Sequence, residues 1–191
     1  MAPYTTTYVQ KILTGFFLIT IPCIFFTLPE IAGSDNKRLL IGIELFPSFL
    51  ASDVNISNKT DNNNNLCIAI VYQYDKQTAD DMAKRLKSLG KIRGIPIKVV
   101  VLSVQELEKI EKQIIAGLFI AESMICLPPI IDDSIEKNYI VFSPFEGDVE
   151  KGATGGIHIT EKIFPYFNLK TAHRAAIKMK SFFIRVSNKY E

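Results

Sequence analysis

Tryptophan is absent from this chain of 191 residues, histidine occurs twice and cysteine three times. Three cysteines are too few for a disulfide scaffold, and their spacing does not match a zinc site. Charge of either sign is not in excess: 22 Lys and Arg face 20 Asp and Glu, a formal net charge of +2. No global field therefore draws in nucleic acid, and no nucleic-acid partner is expected. The glycine repeat of collagen and the heptad composition of coiled coils are both missing. Hydrophobic residues make up 48% and charged residues 22%, which excludes wholesale disorder. The length suits one domain with a real core.

Catalytic motifs are also missing. The segment Gly147-Asp148-Val149-Glu150-Lys151-Gly152-Ala153-Thr154 approaches a P-loop. Ala153 stands where the phosphate-binding lysine belongs, and Asp148 and Glu150 would repel phosphate. After the first strand the chain reads Tyr72-Gln73-Tyr74-Asp75, not a glycine-rich dinucleotide turn, and Asp75 is a single acid where a phospho-acceptor domain clusters several. His158 and His173 have no nucleophile, carboxylate or second ligand at motif spacing. The reading is a non-enzymatic chain with no catalytic residue, no metal ligand and no cofactor.

What is present begins at the amino terminus. Ile12 to Pro29 is uncharged and rich in Phe, Leu and Ile, with Lys11 before it and Ala32-Gly33-Ser34 after it. This is the order of a secretory signal cleaved after Ser34. The alternative is an uncleaved N-terminal anchor, since about 18 apolar residues can span a bilayer. Either way residues 35–191 form the functional domain, and the expected compartment is the periplasm. Cys67 and Cys126 would then lie where disulfides persist, and they are a candidate bridge; Cys67 reads equally as a buried small apolar residue.

Along that domain, Lys37 to Leu50 is an apolar helix bent or ended by Pro47. An Asn-rich loop runs from Ser52 to Asn65, and apolar strands and amphipathic helices then alternate. Leu66–Val71 reads as a strand, and Ala79, Met82, Ala83 and Leu86 share the core face of a helix capped by Asp75 or Thr78. Ile95–Leu102 is a second strand. Ser103-Val104-Gln105-Glu106 is a capping box before a helix with Val104, Leu107, Ile110 and Ile114 on one side. Ala116–Ala121 and Tyr139–Phe142 are further strands. Ile157–Thr160 and Ile163–Phe167 read as a hairpin, and Asn168 caps a long C-terminal helix with Leu169, Ala172, Ala176, Met179, Phe183 and Val186 as its core stripe. The expected class is α/β, a mostly parallel sheet with helices on both faces, ending in a β-hairpin and that long helix.

Such a sheet forms a crevice at the carboxyl ends of its strands. Here Tyr72, Tyr74, Asp75, Ser103, Glu122, Ser123 and Ser143 are its candidate lining, which suits a periplasmic solute-binding protein for a small ligand. On the final helix Lys170, Arg174, Lys178 and Arg185 line one side, either a solvated face or a partner surface.

The domain resembles the YfiR-like family of bacterial periplasmic regulatory proteins. Gly155-Gly156, the hairpin and Asn168-Leu169-Lys170-Thr171-Ala172-His173-Arg174-Ala175-Ala176 carry the likeness. Leu118–Ser123, Ile140–Ser143 and Arg38–Ile41 are similar to its third strand, its strand before the Gly-Gly loop and its opening helix. Cys67 matches a strand position that some relatives use for a disulfide. The resemblance implies a regulator that binds and represses the periplasmic part of an inner-membrane signalling protein, a diguanylate cyclase or sensor kinase, within cyclic-di-GMP signalling. A homodimer is a further expectation.

Overall fold

The computed structural model describes residues 30–110, 114–123 and 126–191. The apolar segment read as a signal or anchor lies outside them. Helix α1 (Glu30–Ser52) contains the Lys37–Leu50 stretch and continues through Pro47. The described elements then follow as β1 (Leu66–Tyr72), α2 (Lys76–Ser88), β2 (Lys91–Ile92) and β3 (Ile95–Ser103). After a 3-10 segment at Val104–Ile110 come β4 (Gly117–Ile120), α3 (Pro128–Lys137), β5 (Ile140–Ser143) and β6 (Gly155–Ile159). The chain closes with β7 (Ile163–Asn168), α4 (Leu169–Arg174), α5 (Ser181–Val186) and β8 (Asn188–Tyr190).

One eight-stranded sheet results, in the order β2-β3-β1-β4-β5-β6-β7-β8. The five strands from β3 to β6 are parallel; β2 joins β3 and β7 joins β6 antiparallel, and β8 runs parallel to β7. The fold is α/β with a mostly parallel sheet and flanking helices, as the alternation of apolar runs and amphipathic stretches requires.

Alternate residues of each strand point to opposite faces, and the two faces carry different layers. On one, Phe46 and Phe49 of α1 meet Phe119 and Phe142 of the sheet, with ring centroids 5.5 Å apart for Phe46–Phe119 and 5.1 Å for Phe49–Phe142. Gly117 permits that approach: a Cβ there would lie 2.6 Å from Leu50 Cδ2. Helix α2 packs beside α1 on this face through Ala79, Met82, Ala83 and Leu86, all buried. On the other face Ile130 and Ile131 of α3 are buried, and the 144–153 segment covers β5 and β6.

The carboxyl end of α1 is locked by charge. Asp53, 1% exposed, meets Lys59 Nζ at 2.6 Å in an ion-pair contact off hydrogen-bond alignment. Lys180 Nζ donates to Ala51 O (3.1 Å) and an Arg93 guanidinium N–H to Asp53 O (3.2 Å), so cations meet the negative end of the helix dipole.

The tail departs from the expected long helix. It breaks after Arg174, because Ala176 takes a left-handed φ of 50° and Ile177 N–H donates back to Ala172 O at 2.9 Å. The chain then runs extended, where Val54 N–H donates to Lys178 O (2.7 Å) and Lys180 N–H to Ser52 O (2.9 Å). These bonds to the end of α1 displace the helical ones. Ala172, Met179 and Phe183 of the expected stripe are buried, whereas Ala176 and Val186 are exposed. The tail ends in β8, an edge strand that the periodicity did not indicate.

Candidate functional site

The expected strand-end crevice falls at the point where the strand order reverses across the sheet: β1 lies between β3 and β4. The turn from β1 to α2 presents three successive backbone N–H groups, a ready cradle for an anion. The protein fills it with its own carboxylate. Glu122 Oε2 accepts from the N–H groups of Gln73 (3.0 Å), Tyr74 (2.8 Å) and Asp75 (3.1 Å). Burial pushes the Glu122 carboxyl up, but the three donors together outweigh it and hold the group below its ordinary value. Asp75 is turned to another task. Its carboxylate caps α2, accepting from Thr78 N–H (3.0 Å) and Thr78 Oγ1 (2.6 Å), and the hydroxyl first and the amide second lower its pKa.

The remaining expected lining is only partly assembled. Tyr72 is half-buried at the end of β1, and Tyr74 is 79% exposed. The Ser103 N–H and Oγ both donate to Glu106 Oε2 (3.1 Å each), which is the glutamate half of the capping box read from the sequence, and a 3-10 segment follows in place of the expected helix. Ser143 does not line the crevice: it is fully buried and donates from Oγ to Asp148 Oδ2 at 2.7 Å, tying down the 144–152 loop. Ser123 is exposed beyond Glu122.

A second feature at the same end of the sheet lies beside the hairpin. A cavity of about 130 Å³ gathers Arg38 of α1, Glu146 and Glu150 of the β5–β6 loop, and His158 and Tyr166 of the hairpin. Arg38 Nε donates to Pro144 O (2.8 Å) and its guanidinium lies 3.8 Å from Glu146. Tyr166 donates to Glu150 Oε1 at 2.9 Å, and burial first, then this bond, push its phenol up to about 12. The His158 ring meets Tyr166 edge-on at 5.3 Å. Tyr166 is thus held neutral as a donor, in a recess that Ile157 and Ile159 also line; Ile163 and Phe164 are exposed on the hairpin outside it. Arg38, Glu146 and Glu150 were not legible as site residues, since they come from separate segments without a motif.

Two expected groupings are corrected. Lys170, Arg174, Lys178 and Arg185 are all exposed, but the break at Ala176 distributes them over α4, an extended linker and α5. They do not form one helix face. No bridge joins Cys67 to Cys126 in the structure. Cys67 is buried in β1 beside Ala116, whose N–H donates to Cys67 O, whereas Cys126 is exposed in the loop that follows β4. The length of β4, about 13 Å at ~3.3 Å per residue, runs between that level and the loop, against a disulfide Cα span of about 7 Å at most. Burial raises the Cys67 thiol pKa. Among the described residues no group of three His, Cys, Asp or Glu side chains is placed to hold a metal, and no helix is long and apolar enough to cross a membrane.

The fold defines the class: an α/β protein with a mostly parallel eight-stranded sheet and flanking helices. No family model matches the chain. It is similar to the ATP synthase subunit delta of Wigglesworthia glossinidia brevipalpis, 31% identical over 111 residues, 58% of this chain and 53% of that protein. Among solved structures it is similar to an ABC domain in complex with L-Trp from Streptococcus pneumonia, with a TM-score of 0.51, 10% identity and coverage of 80% of this chain and 60% of the other. It is also similar to a conserved domain protein from Vibrio cholerae O1 biovar eltor, with a TM-score of 0.52, 14% identity and coverage of 78% and 60%. The chain therefore spans about half the length of the curated relative, at 53%, and 60% of each solved structure. At these identities the structural likeness is one of fold.

Proposed function

We propose that the chain is a non-enzymatic periplasmic regulator, as its resemblance to the YfiR-like family implies. It acts by binding the periplasmic part of an inner-membrane signalling protein, a diguanylate cyclase or sensor kinase. The observation that carries this reading is the contrast between the two strand-end features. The anion cradle is filled by Glu122, while the exposed apolar side chains of the hairpin stay open, Ile159 and Ile163 on one face and Phe164 on the other. Exposed apolar side chains on a hairpin beside a recess suit a protein partner better than a small solute. Deleting the protein should raise cyclic-di-GMP if the partner is a cyclase. The purified chain should retain the partner's periplasmic domain, and Phe164→Asp should abolish retention without unfolding the chain. Unchanged retention by that variant would move the interface away from the hairpin.

The second reading is a periplasmic solute-binding protein, supported by the L-Trp complex of the structural neighbour. An amino acid's carboxylate would then have to displace Glu122 from the cradle. Calorimetric titration with amino acids separates the two: saturable heat from one of them favours the solute reading, and its absence across the set favours the regulator.

A further inference from the structure

The hairpin of β6 and β7 has two faces that meet different neighbours. Ile157, Ile159, Ile163, Pro165 and Phe167 share one face by register and alternation. This is the face of α1. Phe49 packs on Phe167 with ring centroids 6.1 Å apart, and a Cβ on Gly155 would lie 2.4 Å from Phe49 Cε1. His158, Phe164 and Tyr166 share the opposite face. Phe164, the side chain assigned to the protein partner, is therefore on the face away from α1.

The direction of α1 brings its start to the tip of this hairpin. Phe49 is level with Gly155 at the beginning of β6, whereas Arg38, about three turns earlier, lines the recess with His158 and Ile159 and donates to Pro144 O. The helix therefore runs antiparallel to β6, and its amino terminus projects the same way as the tip. From Arg38 back to Glu30 the helix rises about 12 Å at ~1.5 Å per residue. From His158 to the turn at Glu161 the hairpin advances about 10 Å at ~3.3 Å per residue. The two ends reach the same level. Towards it Ser34, Asn36 and Lys37 of the helix are exposed, and Ile159 and Ile163 are 39% and 48% exposed. Immediately before Glu30 the sequence carries Ile12–Pro29, uncharged and rich in Phe, Leu and Ile. A run of that length, about 18 residues, matches the hydrocarbon core of a bilayer.

We infer that the α1 face of the hairpin is a lipid-contact surface. With Ile12–Pro29 retained in the bilayer, Ile159 and Ile163 enter the interface beside the point where the chain leaves it. An anchor alone tethers a domain without orienting it. This second contact fixes the hairpin end of the sheet towards the bilayer and leaves the Phe164 face for the periplasmic part of a membrane partner. The contact is apolar in character. At this end Lys37, Arg38 and Lys162 are outnumbered by Glu30, Asp35, Glu146, Glu150 and Glu161, so no excess of positive charge draws the domain to anionic lipid. Lys162, at the turn between the two isoleucines, can keep its ammonium among the headgroups while its stem lies on apolar surface.

The chain has no tryptophan, so a single introduced one reports its own surroundings. Ile163→Trp, Phe164→Trp and Leu89→Trp each place one at an exposed position. Leu89 is at the far end of the sheet, because α2 runs back from the carboxyl end of β1 and Gly90 O takes the N–H of Ile97 near the start of β3. Each full chain is reconstituted in phosphatidylcholine vesicles with and without bromine on the acyl chains. Brominated lipid should quench the tryptophan of Ile163→Trp, quench that of Phe164→Trp less, and leave that of Leu89→Trp bright. Quenching in Ile163→Trp no greater than in Leu89→Trp overturns the inference, and so does equal quenching in Ile163→Trp and Phe164→Trp. Protein purified from the envelope that begins at Asp35 overturns it as well. Should Ile163→Trp fail to fold, Ile159→Trp gives the same reading. Partner retention by Phe164→Asp is measured without lipid, so the partner reading and the lipid contact can each fail alone.

Discussion

The parallel centre of the sheet and the C-terminal tail both pack against α1, but different forces hold them. At the centre, the rings of Phe46 and Phe49 close on Phe119 and Phe142 from strands whose every side chain is buried. The tail contributes one comparable ring, Phe183, 4.7 Å from Phe49. Otherwise it is tied by backbone hydrogen bonds at Lys178 and Lys180 to the end of α1, around the buried Asp53. Apolar burial is non-directional and leaves a period in the sequence. A backbone bond to a distant segment leaves none. That difference explains why the centre agrees with its periodicity and the tail does not.

The largest effect should come from the ring that touches both regions. Phe49→Ala is expected to cost about 4 kcal/mol in denaturant unfolding, since it leaves a cavity that neither α1 nor the sheet can close. Phe183→Ala should cost about 3 kcal/mol; a loss as large as that of Phe49→Ala would make the tail as dependent on apolar burial as the centre.

Asp53→Ala leaves Lys59 buried without its partner and should cost roughly 3 kcal/mol. Faster amide exchange at Lys180 and Val54 than at β1 would show that the tail loosens first. Uniform acceleration would mean that the two regions unfold as one.

Glu122→Gln should cost about 1–2 kcal/mol, because a neutral amide is a weaker acceptor for three N–H donors. The sign of the pH dependence follows from the lowered pKa of Glu122. Its contribution is complete above the unfolded value near 4.3 and is lost as pH falls through the lower folded value. The melting temperature of the wild type should therefore fall more steeply than that of Glu122→Gln below about pH 4; parallel curves would remove Glu122 from the account.

The smallest effect belongs to the exposed basic groups. Arg174→Glu with Lys178→Glu should change stability by less than about 1 kcal/mol. If partner retention is lost while the melting temperature holds, those two residues belong to the interface despite their separation from a common helix face.

Much of the architecture was legible because it is local. The Asp75 cap, the capping box from Ser103 to Glu106, the hairpin and the Asn168 cap, where Thr171 N–H donates to Asn168 Oδ1 at 2.8 Å, each depend on residues within a few positions. Apolar strand runs and the helical spacing of Ala79, Met82, Ala83 and Leu86 then dictate an α/β sandwich, because each face must be covered.

What only the tertiary structure decided is long-range. Glu122 reaches the β1–α2 turn from 47 to 49 positions away and converts an open crevice into a filled one. Arg38 meets Pro144 across 106 positions, and the end of α1 breaks a helix that the spacing of Ala172, Ala176 and Met179 would have continued. Side-chain period records which face of an element is apolar. It carries no record of which distant donor a carboxylate will find, and that partner settles whether a site is open.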